Sequence, residues 1–382
     1  MDSRAKTLIG VNLRMMEEKP SGIQNYISGL FKELIKNADL EFLFFSTGNK
    51  KIQEDLQHFK ANSSIMNFLK RIDPRLANIF FDNFYILRFI KDFRVKIFLS
   101  PSFILPFFKP KGVKFIAVIH DLSFLSYKHN PFRIYMNLVM YMKTLMPFII
   151  KKADFLVVDS IFTKKELEKV YKAESKKIKV IYPGRDNFFF PVKDEAAFLK
   201  LIKKYNLRKK FIFTTATNHE RKNIFGLIDA FKEMKSTEYQ LIICGLLPDF
   251  TVIKLQEYLE ELNLTGKVKF LGFVSGEELR LFYSYARLFV FPSFEEGFGL
   301  PVLEAASCGC LPICSNTGAL PEVIGDKELL FNPRNTLSIT EKIEEVLSWP
   351  EEKYLLHLQK IKKHINQFSW QTAADQYLEL FK

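Results

Sequence analysis

A strand, a sharp turn and a helix follow one another in Phe291-Pro-Ser-Phe-Glu-Glu-Gly-Phe-Gly-Leu-Pro-Val-Leu-Glu304. The apolar run at its start is typical of a buried parallel strand. Leu300–Ser307 is predicted to be a helix, because Pro301 suits a first turn, where a missing N–H does no harm. Gly297 and Gly299 let the backbone turn and approach a ligand closely. The N–H groups and dipole of the new helix therefore predict a site for an anion such as phosphate.

The same stretch carries two glutamates, Glu296 and Glu304. Paired carboxylates are also found in glycoside hydrolases, where they stand roughly 5 to 9.5 Å apart. If both glutamates lay on one helix, their backbones would be about 12 Å apart, a gap that the side chains could partly close. We favour two separate tasks, with Glu296 in the loop at one end of a ligand and Glu304 in the helix at the other.

The segment resembles the Glu-x7-Glu signature of retaining family 4 glycosyltransferases, the mannosyltransferase-like group 1 type, and the similarity continues to Val323. This resemblance implies the GT-B fold, an α/β architecture. In it, two Rossmann-like domains with parallel sheets face each other across a cleft, and a C-terminal helix crosses back to the N-terminal domain. The resemblance also implies that Glu296 contacts the donor sugar and Glu304 holds the ribose hydroxyls. The backbone amides of four residues would lie at the sugar and diphosphate: Gly297, Phe298, Gly299 and Leu300.

Strands and amphipathic helices alternate along the chain, which predicts parallel α/β sheets. A length of 382 residues exceeds most single cores, so two domains are expected. We predict an acceptor-binding domain at 1–188, a nucleotide-sugar-binding domain at 189–365 and a returning helix at 366–382. The predicted strands are Thr7–Val11, Glu41–Ser46, Ile97–Leu99, Phe115–His120, Phe155–Asp159, Lys179–Tyr182, Lys210–Thr215, Gln240–Cys244, Val268–Leu271, Leu288–Phe291 and Leu311–Cys314.

A basic pair follows the first predicted strand of the second domain, within Thr217-Asn-His-Glu-Arg-Lys-Asn223. Arg221 and Lys222 precede a helix, where cations oppose the helix dipole and so invite an anion such as a diphosphate. The segment resembles the Arg-Lys-Asn form of the family's phosphate-binding loop. Many members have an arginine six positions before this lysine, where this chain has Ala216. Arg221 is therefore expected to contribute in its place.

His120 ends a predicted strand, at the edge where open α/β sheets bind ligands. A lone histidine is more often structural. The context Ile119-His-Asp-Leu122, however, resembles the family's active-site histidine, which hydrogen-bonds the donor sugar and supports the transition state. Asp121 is interpreted as a turn or cap residue. Val158–Thr163 is interpreted as a helix start capped by Ser160 or Thr163.

The resemblance also covers two further segments, in which fewer residues match the family. Gly22 lies where the family has a glycine-rich loop that reaches the donor diphosphate and the acceptor, although Ser21 and Gln24 replace two of the usual glycines. Gly272 and Phe273 end a strand whose backbone commonly meets the nucleotide base. The family implies no metal and no cofactor, with a nucleotide-diphosphate sugar as the donor substrate.

Other sequence features indicate the cellular compartment of the protein and the burial of single residues. The polar N-terminus shows no signal peptide, and Ile134–Ile150 is too short and too interrupted to span a membrane, so a cytoplasmic protein is expected. Four cysteines without zinc-ligand spacing are interpreted as buried apolar residues in a reducing compartment: Cys244, Cys308, Cys310 and Cys314. Four histidines outside any constellation are expected at the surface: His58, His129, His357 and His364.

The formal net charge of +13 indicates either an anionic partner or simply a solvated basic surface. Nucleic acid is not favoured, because no recognisable binding motif accompanies the charge. An anionic membrane is the other candidate, with the protein peripheral at the inner face of the cell membrane. The lysines that suit such a contact lie among Phe and Met: Lys109, Lys111, Lys143, Lys151 and Lys152.

The resemblance implies a retaining, metal-independent hexosyltransferase. It would move mannose or a similar hexose from a GDP- or UDP-linked donor to a saccharide acceptor, lipid-linked, in surface-polysaccharide biosynthesis. A nucleotide-sugar epimerase on the same scaffold is one alternative, but it would need added acid/base groups, of which His120 is the obvious candidate. A non-catalytic basic protein that binds membrane or nucleic acid is another. Such a protein would have no reason to keep both glutamates and the basic pair together.

Overall fold

The computed structural model describes residues 6–13, 22–46, 58–60, 81–125, 133–217 and 220–382. The chain forms two compact units: unit 1 comprises Met1–Gly184 and Ser369–Lys382, and unit 2 comprises Arg185–Phe368. Each unit is an α/β structure around a parallel sheet. The parallel sheets predicted from the alternation of strands and helices are therefore confirmed.

The strands of unit 1 are β1 (Thr7–Asn12), β2 (Leu40–Ser46), β3 (His58–Lys60), β4 (Ile97–Ser100), β5 (Lys114–Ile119), β6 (Phe155–Val158) and β7 (Ile178–Val180). They form a parallel sheet in the order β3-β2-β1-β4-β5-β6-β7. Successive side chains enter opposite cores, since Phe115 packs into one apolar cluster and Ile116 into the other. Both faces of the sheet are therefore buried, as expected for parallel strands.

Helices cover this sheet. They are α1 (Gly22–Leu34), α2 (Ile86–Asp92), α3 (Arg133–Lys152) and α4 (Ile161–Tyr171). The start of α4 is capped as predicted, because Ser160 Oγ accepts a hydrogen bond of 3.0 Å from the Thr163 N–H. Within the described part of the chain, none of the helices combines the length and apolarity needed to cross a bilayer.

Unit 2 contains β8 (Phe211–Thr217), β9 (Gln240–Leu246), β10 (Val268–Gly272), β11 (Leu288–Phe291), β12 (Pro312–Ser315) and β13 (Leu330–Phe331). These strands are parallel and lie in the order β10-β9-β8-β11-β12-β13. Its helices are α5 (Glu195–Tyr205), α6 (Ile224–Lys232), α7 (Asp249–Glu261), α8 (Gly276–Tyr285), α9 (Leu300–Ser307), α10 (Leu320–Ile324), α11 (Thr336–Leu347) and α12 (Glu351–Ile365). The sequence patterns did not predict β3 and β13, because three and two residues are too few to carry a periodic signal.

The C-terminal helix α13 (Trp370–Phe381) belongs to unit 1, which confirms the predicted return. It packs on α1, and the hydroxyl groups of Tyr26 and Tyr377 form a hydrogen bond of 2.7 Å between the two helices. Gly29 makes this approach possible, since a Cβ there would lie 2.2 Å from the Trp370 ring. The helix pair therefore depends on a glycine at one position of α1.

His357 is not a surface residue, so that expectation is wrong. Its ring is buried and stacks on Trp349, with centroids 4.5 Å apart. The reason is the period of α12, which places His357 on the same buried stripe as Tyr354 and Ile361. The cysteines do follow the prediction, since all four are buried and free.

Candidate active site

The Gly-Phe-Gly turn leads from β11 into α9, and α9 begins and ends where the sequence predicted. Gly299 caps the helix in the left-handed region, with φ of 115°. A Cβ at this position would also lie 2.6 Å from a methyl group of Leu320, so only glycine fits without strain. Gly297 and Phe298 are buried in the same loop. The first turn of α9 thus follows directly along the chain after the loop that carries Glu296.

Glu296 is buried and clamped between two cations. One carboxylate oxygen lies 2.7 Å from Lys222 Nζ, and the other lies 2.5 Å from Arg221 Nη1. Burial alone would raise the pKa of Glu296, but the charges of Lys222 and Arg221 outweigh it and lower the pKa to about 2. The carboxylate is therefore ionised at any physiological pH. We call these three residues the ion-pair cluster.

The topology of unit 2 explains how residues so far apart in sequence meet. Strands β8 and β11 are parallel neighbours, so the segments that follow them leave the sheet at the same edge. Arg221 and Lys222 follow β8 in a short 3₁₀ turn, whereas Glu296 follows β11. The backbones are joined as well, because the Phe294 N–H donates to Arg221 O at 2.7 Å. The carboxyl edge of the sheet thus brings the predicted basic pair to one of the predicted glutamates.

Gly318 supports the Glu296 loop, and sequence reasoning missed it. A Cβ at Gly318 would stand 2.8 Å from the backbone N and O of Glu296, and its φ is 64°. The next residue, Ala319, donates its N–H to Glu296 O at 3.0 Å. A glycine that follows a strand gives no information about which distant backbone it contacts.

Glu304 occupies a different environment from Glu296. It lies in α9 and accepts a 3.0 Å hydrogen bond from the hydroxyl of Tyr283. Burial raises the pKa of Glu304 to about 7, although the Tyr283 hydrogen bond opposes the rise. Tyr283 was not predicted, because a buried aromatic residue of α8 shows no spacing signal. The two glutamates are thus held by separate groups.

Some residues that were predicted to bind the nucleotide-sugar donor lie outside the ion-pair cluster. Gly272, with φ of 70°, ends β10, and the exposed Phe273 follows it. Because β9 separates β10 from β8, these two residues lie two strands away from the basic pair. Gly22 opens α1 in unit 1, and the residues 14–21 of its predicted loop lie outside the described residues.

His120, the predicted active-site histidine, lies in unit 1, one position beyond β5. Its Nε2 lies 2.8 Å from Pro101 O, and its Nδ1 lies 2.7 Å from Asp159 Oδ2. Burial lowers the pKa of His120, but the charge and hydrogen bond of Asp159 outweigh it and raise the pKa. Both ring nitrogens are therefore hydrogen-bonded within unit 1. A hydrogen bond to a sugar would have to replace one of these partners.

Asp159 was missed as a partner of His120, since the sequence placed it at the end of a strand before a helix cap. Its side chain is buried, and burial raises its pKa against the opposing effect of His120. Strands β5 and β6 are parallel neighbours, so the residues after them meet at one edge. A local sequence pattern could not reveal the pairing of His120 with Asp159, because 39 positions separate the two residues.

One group of side chains in the described part of the chain has the make-up of a metal site. The ligand atoms of Asp326, Glu328 and His357 lie within 4.8 Å of one another. His357 Nδ1 is, however, hydrogen-bonded to Asp326 Oδ2 at 2.7 Å. Together with the Trp349 stacking, this bond makes the group a structural link between α12 and the segment after α10. We therefore do not assign it a catalytic task.

Comparison with known families places the chain among proteins that transfer sugars. Residues 198–363 match the family described as glycosyl transferases group 1, and residues 20–187 match Glycosyltransferase Family 4. The chain is 30% identical over 301 residues to O-antigen chain mannosyltransferase B of Escherichia coli, covering 77% of this chain and 76% of that protein. It is 26% identical to serotype-specific mannosyltransferase WbdA of Escherichia coli over 94% of this chain, but it spans only 43% of that longer protein.

Solved structures give the same result for the fold. A glycosyltransferase from Rickettsia africae ESF-5 superposes with a TM-score of 0.76 at 20% identity, covering 99% of this chain and 98% of that one. Anabaena HepE in complex with UDP-glucose superposes with a TM-score of 0.73 at 17% identity, covering 98% of each chain. At such identities the likeness shows the fold alone, and that fold is the expected GT-B.

Proposed function

Since the chain belongs to the family 4, group 1 glycosyltransferases, we propose that it transfers mannose from a nucleotide-diphosphate donor to a saccharide acceptor, with retention of anomeric configuration. The ion-pair cluster beside the start of α9 carries this proposal, because it gathers cations and a carboxylate at one edge of unit 2. The name of the mannosyltransferase relative supports mannose as the sugar and an O-antigen type of saccharide as the acceptor. The UDP-glucose complex of HepE supports a nucleotide-linked donor.

The donor diphosphate is proposed to bind the cations of the cluster. Its phosphate oxygens compete with Glu296 for Lys222 and Arg221, which now stand 2.7 and 2.5 Å from that carboxylate. As the bond from the sugar to the diphosphate breaks, negative charge grows on the leaving oxygen. Prearranged cations and the N-terminus of α9 stabilise that charge. We propose that this neutralisation needs no metal ion.

Glu296 is proposed to bind the donor sugar rather than attack it. A carboxylate with a pKa of about 2 that faces two cations is a weak nucleophile. In the proposed step, the acceptor oxygen bonds to the anomeric carbon on the face that the diphosphate leaves, and a phosphate oxygen takes the acceptor proton. Configuration is retained because the bond forms on the face where the old bond breaks.

The acceptor is proposed to bind unit 1 and to be lipid-linked. His120 lies at the carboxyl edge of that sheet, where ligands of open α/β folds bind. Both ring nitrogens of His120 are hydrogen-bonded to protein groups, Nδ1 to Asp159 and Nε2 to Pro101 O. We propose that a donor sugar hydroxyl exchanges with one of these partners and that His120 supports the transfer rather than an epimerisation.

A panel of nucleotide sugars tests the proposed function. Nucleotide release is measured with and without an oligosaccharide acceptor, and the new glycosidic bond is assigned by NMR. We expect acceptor-dependent release from a mannose donor and an α-linked product from an α-linked donor. An inverted product would refute retention, and interconverted sugars without transfer would favour the epimerase.

Nucleotide binding is expected to weaken at low pH because of Glu304. With a pKa of about 7, the carboxyl group is ionised above neutrality and can accept hydrogen bonds from both ribose hydroxyls. Below pH 7 it takes up a proton, and affinity falls by up to about tenfold per pH unit. Calorimetric titration of GDP and UDP between pH 5.5 and 8.5, roughly one and a half units on each side, measures the trend.

The matched variant for this prediction is Glu304→Gln, which keeps the size of the side chain but cannot ionise. Protonation of the nucleotide phosphate affects both proteins equally, so the difference between their profiles isolates Glu304. We expect the variant to bind weakly at every pH and to show the shallower profile. Profiles of the same steepness would show that Glu304 does not contact the ribose.

A further inference from the structure

The net positive charge of this protein belongs to one unit. Residues 185–368 contain 24 Lys and Arg and 24 Asp and Glu, so unit 2 is formally neutral. The whole net charge of +13 therefore belongs to unit 1, which comprises 1–184 and 369–382. A basic surface that served only solubility would have no reason to avoid one half of the chain. The asymmetry indicates an anionic partner on the side of unit 1.

Exposed aromatic residues of unit 1 lie close to some of these charges. The Phe108 side chain is 71% exposed and that of Phe148 is 50% exposed. Their segments touch, because the rings of Phe107 and Phe148 have centroids 5.7 Å apart. Lys111 follows in the first segment, and Lys151 lies one helical turn beyond Phe148 in α3. We define Phe108, Lys111, Phe148 and Lys151 as the basic aromatic surface.

The structure refines the set of lysines that the sequence suggested. Lys109 binds both carboxylate oxygens of Asp154, at 2.5 and 2.6 Å, and so its charge is compensated. Lys111 and Lys151 are exposed, and neither forms an ion pair with a carboxylate in the described ranges. Each of these two lysines therefore presents uncompensated charge three positions after an exposed phenylalanine.

We propose that the basic aromatic surface docks unit 1 on an anionic lipid bilayer. Lysines near such a surface are attracted to its negative potential, whereas phenyl rings gain by entering the headgroup region. The two lysines suit the negative potential, and the two exposed phenylalanines suit the headgroup region. An anionic bilayer is the partner that can bind both kinds of side chain. The proposal does not depend on the transfer reaction, and vesicle binding is measured without substrates, so each can fail alone.

Sedimentation with lipid vesicles tests the proposal. The full chain is mixed with vesicles of phosphatidylcholine alone or with an equal part of phosphatidylglycerol. We expect binding only to the anionic vesicles, and weaker binding as salt rises. Lys111→Ala/Lys151→Ala should lower the partition coefficient by roughly fivefold for each lysine. Phe108→Ser/Phe148→Ser should lower it by about tenfold through the loss of apolar burial.

Leu356→Ser/Lys360→Glu is the matched control in unit 2, where Leu356 is 52% exposed on α12. It should bind vesicles like the unchanged protein, and circular dichroism should confirm that all variants are folded. The proposal is overturned if the unchanged protein ignores anionic vesicles, if the surface variants bind equally well, or if the control loses as much. It is also overturned if the lysine variant loses only binding to a double-stranded oligonucleotide, which would identify nucleic acid as the partner.

Discussion

Glu296→Ala is expected to lower transferase turnover by about 10²- to 10³-fold, the range found when one prearranged polar group is removed from an active site. Two effects combine. In the proposed mechanism the donor sugar loses its carboxylate partner, and Lys222 and Arg221 lose the anion that lies 2.7 and 2.5 Å from them. Turnover is measured as acceptor-dependent nucleotide release per folded molecule.

Stability must be measured alongside, because Glu296 also has a structural task. Removing one partner of a buried ion pair leaves uncompensated charge, which costs about 3 kcal/mol or more. Glu296→Gln keeps the shape of the loop and is the better probe of chemistry. Glu257→Ala, at an exposed position of α7, serves as the control and should retain full activity. Full turnover by Glu296→Ala would disprove the assignment.

Lys222→Ala is expected to impair the enzyme more than Arg221→Ala does. Lys222 is the more buried of the two cations, and its ammonium lies 4.8 Å from the centre of the Phe291 ring. In this dry environment one charge interacts more strongly with a diphosphate than it would at the surface. We expect a loss of about 10²- to 10³-fold in turnover for Lys222→Ala. Turnover and nucleoside diphosphate affinity are measured for both variants.

Lys232→Ala, at an exposed position of α6, is the control for this pair. Equal effects of the two site variants would mean that Arg221 takes a full share of the diphosphate, in place of the arginine that many relatives carry where this chain has the buried Ala216. A Lys222→Ala protein that behaves like Lys232→Ala would contradict the account of the phosphate site.

The pKa values of the two glutamates also bear on the hydrolase alternative. The charges of Lys222 and Arg221 outweigh burial and lower the pKa of Glu296 to about 2, while burial raises the pKa of Glu304 to about 7 against the opposing hydrogen bond of Tyr283. A split of this kind is typical of the acid and nucleophile of glycoside hydrolases. Here the low-pKa carboxylate faces cations that suit a diphosphate, which a hydrolase has no need to bind. The family membership agrees with transfer.

Local signals were sufficient for the secondary structure of the site. Helix α9 begins where Pro301 predicted, since a proline in the first turn acts on its own neighbours. The strands around it were placed within a residue or two for the same reason, because burial on both faces leaves a continuous apolar run. Short edge strands such as β13 carry too few residues for such a run.

Contacts over long sequence distances could not be predicted in the same way. Glu296 and Lys222 were predicted to have separate ligand roles, but their mutual ion pair joins residues 74 positions apart and depends on strand order. The same holds for His120 with Asp159. His357 was wrongly predicted to lie at the surface because histidine is a polar residue type, although its position falls on the buried apolar stripe of α12. Strand order and packing decide these cases, and neither follows from composition.

A crystal structure of the protein with bound GDP tests the central claim most directly. The account predicts the diphosphate on Arg221 and Lys222 at the start of α9, with the ribose hydroxyls hydrogen-bonded to Glu304 and the Glu296 carboxylate no longer holding both cations. Nucleotide bound at any other place in unit 2, with the ion-pair cluster unchanged, would contradict it.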